Sequence, residues 1–436
     1  MSRRTDHFPV LALALLQGRW TRNALRKRAR DLLGPRSKTR ANRLVDEILA
    51  VHRLPYTPGW RTLTKIVAGA SALHGLSDAT IERVASTPGR QHPPRFEPIA
   101  PLQPASAPTL ATTADLATWL EIPIDHLDWF ADERRTLDRE QDKALSHYAY
   151  HWRLKRSGAW RLIEAPKPRM MAVQRRILKD ILNRLAPHEA AHGFVAGRSC
   201  VTAAAKHAGE HVVVTVDLRD FFLSAPVGRV HAIFRCLGYP HAVARALTGL
   251  CSTSTPRHVA AEHFDHEAQR RHATRHLPQG APTSPALSNL AALGLDRRLA
   301  GLANRFGARY TRYADDLTFS GDSPFCARVP GLLKAVADIA RDEGFALNAA
   351  KTRIMPRHQR QSVTGIVVND HINFARDDFY RLKAALTNCV RHGPASQNRD
   401  AHPDFRAHLD GRITWVERLN LRRGEKLRRL FDAIAW

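Results

Sequence analysis

Cysteine is scarce. Five occur in 436 residues (Cys200, Cys236, Cys251, Cys326 and Cys389), scattered and odd in number. That excludes a disulfide framework and a zinc knuckle, and it fits a reducing cytoplasm. No apolar run approaches the ~20 residues that span a bilayer, so no membrane segment is expected. The opening MSRRTDHFPVLALALLQGRW sets basic residues before an apolar run, as a signal peptide does, but the run is short and no clean small-residue cleavage site follows. It reads as a buried helix. No internal repeat is present. Carboxylates are the other deficit: 41 Asp+Glu face 67 Lys+Arg, for a net charge of +26 and a pI near 10.8. Such a surplus marks a polyanion partner, and without a membrane segment nucleic acid is the favoured one.

The chain divides at STPGRQHPPRFEPIAPLQPASAP, residues 86–108, where seven prolines and little apolar periodicity read as an extended linker. Residues 1–85 before it read as a basic helical extension. TRNALRKRARDLLG is stopped by Gly34-Pro35, SKTRANRLVDEILAVHR follows, and nine Lys/Arg fall between residues 20 and 43 against one Asp31. Solvated helix faces or a nucleic-acid clamp both accommodate that charge. The linker is expected to run over 86–114. ADLATWLEIPIDHLDWFADE then predicts two short helices with Trp119, Leu120, Leu127, Trp129 and Phe130 as core. From about residue 145 strand and helix signals alternate, as in an α/β or α+β domain, and the last sixty residues return to helix.

The chemistry concentrates in RYTRYADDLTFSG, residues 309–321, where Asp315 and Asp316 interrupt a strand-like stretch. A hairpin turn accounts for two adjacent Asp residues; a metal-binding turn does so as well. A possible partner lies upstream. HVVVTVDLRDFF begins with a β-branched run typical of a buried strand and stops at Asp217. An ionised carboxylate ending such a strand is costly unless a cation neutralises it. If the strands pair, Asp217, Asp315 and Asp316 converge as an all-oxygen site suited to Mg²⁺. Two such ions clamp the attacking and leaving oxygens of an in-line phosphoryl transfer.

Further motifs have physical readings of their own. In LPQGAPTSPALSNLAALGLDRRL, Ser284 is an N-cap candidate and Pro285 opens an apolar helix. Gly280 permits close backbone approach. A turn before a core helix explains that segment but leaves Gln279 without a role. WRLKRSGAWRLIEAPKP, residues 152–168, alternates apolar and basic residues about Ser157-Gly158, which predicts a hairpin. STPRHVAAEHFDHEAQRRHATRH holds His258, His263, His266, His272 and His276 without compact ligand spacing. It reads as a solvated insertion rather than a metal site.

Taken in order, DLRDFF at a strand end, LPQGAPTSP, YADD and LNAAKTR resemble the motif series of reverse transcriptases, over residues 115–436. The resemblance implies an α+β, right-hand polymerase with fingers and palm over 115–375 and a helical, RNA-binding thumb over 376–436. It implies that Asp217, Asp315 and Asp316 are catalytic and hold two Mg²⁺ ions. Gln279 and Gly280 would lie against the template–nucleotide pair. Phe222 would sit under the incoming sugar and reject a 2′-OH, while Phe221 reads as core. Asp220 would approach the triphosphate through its backbone. Arg161, with Lys155 and Arg156, would grip the triphosphate from the fingers hairpin, and Lys351 would stand near it or the leaving pyrophosphate.

AHGFVAGRSCVTAAAKHAGEH and SVTGIVVN further resemble retron reverse transcriptases, with Val363, Thr364 and Gly365 matching their VTG signature. The first segment keeps His207 but has Ala203 where that subgroup has Asn. The closing HLDGRITWVERLNLRRGEKLRRLFDAI resembles a retron thumb, with Arg412, Arg418, Arg422, Arg423, Lys426, Arg428 and Arg429 as a basic face suited to structured RNA. The subgroup resemblance implies copying of a structured non-coding RNA into single-stranded DNA from an internal guanosine 2′-OH. It implies an RNA–DNA hybrid product, deoxynucleoside triphosphate substrates and a role in phage defence, with an effector protein encoded nearby. A defence- or intron-type reverse transcriptase using another primer, and an inactive RNA-binding protein of the same fold, are the readings left beside it.

Overall fold

Val212, Val214 and Val216 point to one side of a strand and Val213 to the other, because successive side chains alternate across the pleat. Both sides of this strand are covered, which is why VVVTV carries no charge. The computed structural model describes residues 7–16, 21–34, 37–52, 58, 60–77, 79–80, 107–133, 144–155 and 158–436. The strand is β3 (Val212–Leu218). Numbered in chain order, the others are β1 (Tyr148–Leu154), β2 (Trp160–Pro166), β4 (Ala308–Tyr313), β5 (Asp316–Gly321), β6 (Leu347–Pro356), β7 (Ser362–Val363) and β8 (Ile366–Val367).

The main sheet has the order β4-β5-β3-β6, antiparallel throughout. Helices Leu293–Phe306 and Ser323–Asp342 cover one face, packing Leu299, Leu332 and Val336 against Val214, Val216, Leu317 and Phe319. On the opposite face Val213 packs with Ala204, Met355, Val363 and Ile366. Asp217 lies on that second face, where the cover ends in an open cleft.

β1 and β2 form the expected antiparallel hairpin, with Leu154 opposite Trp160. Residues 156 and 157 at its tip, including Arg156, lie outside the described residues. Helix Pro168–Asp180 follows and joins a core with Leu116, Leu127, Phe130, Phe234 and Leu247. The C-terminal helices Arg376–His392, Phe405–Leu419 and Leu421–Asp432 bury Phe379, Leu382, Leu386, Ile413, Leu427 and Phe431 among themselves.

The chain separates into two units, Met1–Pro94 and Arg95–Trp436. In the first, helices His7–Leu16, Arg22–Leu33, Lys38–Val51 and Trp60–Ala68 share a core of Leu11, Leu15, Leu25, Leu44, Ile48 and Leu63. The apolar run at the start is thus a buried helix. Gly34, at φ 97°, ends the second helix. The cationic surface of this unit is partly neutralised, since Asp46 pairs with Arg22 and Arg26, and Glu47 with Arg43.

Four expectations need correction. Residues 107–114 are not linker: Leu110 is buried in the second unit, the Tyr239 hydroxyl donates to the Pro108 carbonyl, and a helix starts at Thr113 with a Thr112–Asp115 capping box. Trp129 is 37% exposed, because the buried side of its helix is taken by Leu127, Phe130 and Ala131. Ser284 is the first helical residue rather than the cap; its hydroxyl donates to the Pro278 carbonyl. The histidine-rich segment is not wholly solvated, since His272 and His276 are buried.

Candidate active site

β4 ends at Tyr313 and β5 begins at Asp316, so Ala314 and Asp315 form a two-residue hairpin loop. Ala314 adopts φ 56°, a left-handed conformation that costs a residue with a Cβ and persists only when its neighbours impose it. Arg312 does so by donating to the Ala314 carbonyl at 3.1 Å. Gly193 passes so close behind the turn that a Cβ there would sit 2.5 Å from the Ala314 nitrogen.

β3 and β5 pair in the register that puts Asp217 directly opposite Asp316. The Leu218 N–H donates to the Asp315 carbonyl at 2.9 Å. All three aspartates therefore line one cleft, together with Lys351 and the Thr364-Gly365 turn between β7 and β8. Asp217 is 7% exposed and accepts a 2.9 Å hydrogen bond from Lys351 Nζ. That bond raises the lysine pKa. Burial, then the charges of Asp315 and Asp217, push Asp316 up to about 6. Burial also raises Asp315, with Asp217 adding to the rise while Lys351 and Arg161 act against it. Three crowded carboxylates, all with oxygen donors, form a set that fits Mg²⁺ with room for water and phosphate oxygens.

The nucleotide-side candidates occupy the flanks. Arg161 is exposed on β2, within electrostatic reach of Asp315, and Lys155 is exposed at the hairpin end. β2 is docked to the LPQG turn: the Glu164 N–H donates to the Gln279 carbonyl at 2.8 Å, and Gly280, at φ 134°, leaves only 3.0 Å between a built Cβ and the Glu164 carbonyl. The close approach that Gly280 permits is thus to protein backbone. Phe222 is half-buried, with ring centroids 5.8 Å from Phe221 and 6.1 Å from Phe194, whereas Phe221 is core. Asp220, at φ 49°, faces Arg271 at 3.5 Å.

Several RNA-side candidates are not surface groups. His207 is fully buried, and its two ring nitrogens bond the Ser320 and Thr311 hydroxyls at 2.7 Å each, so it braces β4 and β5 instead of reaching RNA. Burial drives its pKa down to about 3, leaving the ring neutral. Val363 is buried, while Thr364 and Gly365 reach the cleft, with Thr364 at φ 49°. Arg412, Arg418, Arg422, Lys426 and Arg429 are exposed. Arg423 is partly engaged by Asn373 and the Phe374 carbonyl. Arg428 leaves the expected basic face because it pairs with Asp410 and Glu417.

Sequence reading missed three features. One is the wholly buried Arg312–Asp296 ion pair. Its only sequence signal is a lone acid among the leucines at the start of helix Leu293–Phe306. The second is a buried cluster of Glu164, Thr255, His272 and His276. His276 sets Nδ1 against the Thr274 carbonyl at 2.7 Å and Nε2 against Glu164 at 2.9 Å. Both partners are acceptors, which only a doubly protonated ring satisfies. Burial opposes both charges, yet each outweighs it for the other, raising His276 and lowering Glu164. Glu164, His272 and His276 offer metal-ligand atoms within 4.8 Å of one another. With Thr255 donating to the other Glu164 oxygen, the Glu164 carboxylate is satisfied without an ion. The third is Phe194, an exposed aromatic at positive φ.

An aspartate near the end of a buried strand, opposite the Asp316 that follows a strained Ala314-Asp315 turn, on a sheet backed by two helices, defines a nucleotidyl-transferring polymerase palm. The family profile for reverse transcriptase (RNA-dependent DNA polymerase) matches residues 154–368. The chain is 42% identical over 323 residues to the retron Mx65 reverse transcriptase of Myxococcus xanthus, covering 74% of this chain and 71% of that one. It is 41% identical to the retron Mx162 reverse transcriptase of the same organism (65% and 59%) and 33% identical to the retron Ec86 reverse transcriptase of Escherichia coli (52% and 64%). The chain belongs to the reverse transcriptases, and within them to the retron type. It is an RNA-directed DNA polymerase with the right-hand fold of that family, taking an RNA template and deoxynucleoside triphosphates. Among the described residues no helix is long and apolar enough to cross a membrane.

Proposed function

We propose that Asp217, Asp315 and Asp316 hold two Mg²⁺ ions, and that the enzyme copies a structured non-coding RNA into single-stranded DNA starting from an internal guanosine 2′-OH. The product is a branched RNA–DNA, made in the cytoplasm and used with a nearby-encoded effector in defence against phage. The observation that carries the metal reading is the β3–β5 register, which opposes Asp217 to Asp316 beside a turn that projects Asp315. When bound, the ions would supply charge neutralisation at the attacking and leaving oxygens. The protein's own residues do the rest. Lys351 holds Asp217 in line and offers an ammonium to the departing pyrophosphate, Arg161 and Lys155 grip the triphosphate, and Asp220 meets it through its backbone. Gln279 and Gly280 set the template–nucleotide pair, and Phe222 lies under the sugar. Thr364 and Gly365 reach the same cleft, which suits a turn that presents folded RNA to the reacting centre. The exposed thumb cations Arg412, Arg422 and Lys426, with Arg423 beside them, track the RNA backbone.

Retron naming of the relatives supports the branched product, and Ala203, where the subgroup pattern has Asn, departs from it. The test is co-expression with the cognate RNA, then ribonuclease and debranching enzyme. A short RNA remnant on the DNA 5′ end, released only by debranching, is the expected result. DNA with a free 5′ end, or one joined to an RNA 3′-OH, would assign a different primer and leave polymerisation untouched.

A further inference from the structure

Phe194 spends backbone strain to hold an apolar ring in solvent. It sits at φ 61° and is 49% exposed. A bulky residue in the left-handed region is strained, and a half-exposed ring offsets little of that strain by burial. Glycine or asparagine would remove or lessen the strain at this position.

The surrounding backbone leaves no latitude. The His192 N–H donates to the Arg312 carbonyl at 2.7 Å, Asn289 Nδ2 donates to the Gly193 carbonyl at 2.9 Å, and Gly193 is pressed against the Ala314 turn. Phe194 is therefore fixed relative to the aspartates by the same contacts that shape their hairpin. Its ring lies 6.1 Å from Phe222 at 41°. Phe222 also meets Phe221 at 5.8 Å, and Phe221 is held in the core, where it stacks on Phe345 at 5.8 Å. Phe222 thus contacts two rings, one held in the core and one strained and exposed.

We propose that Phe194 is a positioning residue for sugar selection: it backs the Phe222 ring and keeps it where an incoming ribonucleotide's 2′-OH would collide with it. The inference rests on the reading of Phe222 as the residue beneath the incoming sugar. Without the Phe194 ring, Phe222 gains a direction in which to tilt away from the incoming sugar.

The experiment compares full-length wild type with Phe194→Gly, Phe194→Asn, Phe194→Tyr and Phe222→Ala on an artificial RNA template. It reads kcat and KM for a deoxy- and the matching ribonucleotide, with a melting temperature for each protein. Phe194→Gly and Phe194→Asn are expected to raise relative ribonucleotide use about tenfold, mainly by lowering the ribonucleotide KM, with the melting temperature unchanged or higher. Phe194→Tyr keeps the ring and wild-type selection. If Phe222→Ala relaxes selection while the Gly and Asn variants do not, the Phe194 inference fails and the Phe222 reading stands. If Phe222→Ala remains active without relaxing selection, the reading of Phe222 fails and takes the inference with it. A fall in melting temperature in both the Gly and Asn variants, with selection unchanged, would make Phe194 a structural residue.

Discussion

Arg312 and Asp296 form a bidentate ion pair with no solvent exposure on either side, Nε to Oδ1 at 2.7 Å and Nη2 to Oδ2 at 2.6 Å. The guanidinium continues to Asn289 Oδ1 at 2.9 Å and to the Ala314 carbonyl. A helix behind the sheet is thereby connected to the turn between Ala314 and Asp316. Taking one partner from such a pair leaves an uncompensated buried charge, at a cost of about 3–5 kcal/mol. Asp296→Asn and Arg312→Met should each lower the unfolding free energy from urea titration by that order and abolish DNA synthesis. A volume-matched apolar replacement of both should recover much of the stability but not the activity, because the turn loses its anchor either way.

Asp315→Asn or Asp316→Asn should end DNA synthesis with RNA binding retained, since each keeps volume and removes a ligand charge. Primer extension with Mg²⁺ and a binding titration separate the two. Asp316 also predicts a pH signature. Its folded pKa of about 6 lies above the ordinary carboxylate value, so ionising it opposes folding of the metal-free protein. That penalty is absent below about pH 4, grows up to about pH 6 and is constant above. Metal-free Asp316→Asn should therefore be more stable than wild type by about 1–2 kcal/mol at pH 7 and indistinguishable at pH 4. Mg²⁺ should stabilise the wild type and not the variant, with wild-type affinity falling below about pH 6 as protons compete.

Phe222→Ala should admit ribonucleotides. Incorporation of ribo- against deoxynucleotides measures it, and an unchanged ratio in an active variant returns Phe222 to a packing role.

Removing residues 1–94 should weaken RNA binding yet leave extension of a simple primer–template intact. The cut follows the division between the two units, each with its own core. Affinity supplied by phosphate contacts falls with salt, so the truncated protein should show a shallower dependence of binding on salt concentration. Equal affinity and slope would remove the clamp reading, and the Asp46 and Glu47 ion pairs already reduce the charge available to it.

What could be read from the sequence follows local physics. VVVTV leading into Asp217, the hairpin at the Asp pair and the hairpin about Gly158 carry period-two and turn signals within a few residues, and all three are present, the first turn falling on Ala314-Asp315. His207 and Trp129 show the limit. A histidine at a helix end and an indole at helical spacing look alike whether they face solvent or core, and long-range packing alone sent one inward and the other out. Arg312, Glu164 and His276 were invisible for the same reason: their partners lie 16 and 112 residues away.

The two edges of the catalytic sheet are guarded unequally against self-association. β4 is shielded in part by the chain at Ala191, which bridges Arg312 in parallel. Among the described residues β6 pairs only with β3, and it is largely exposed along LNAAKTRIMP. An open, unpaired strand invites another copy to add on, and inserted cations or a proline discourage it. Lys351 and Arg353 supply the charge and Pro356 ends the strand. Lys351 thus adds charge to this open edge as well as lining the cleft, so a variant made to probe its chemistry should be checked for aggregation before any loss of rate is credited to catalysis.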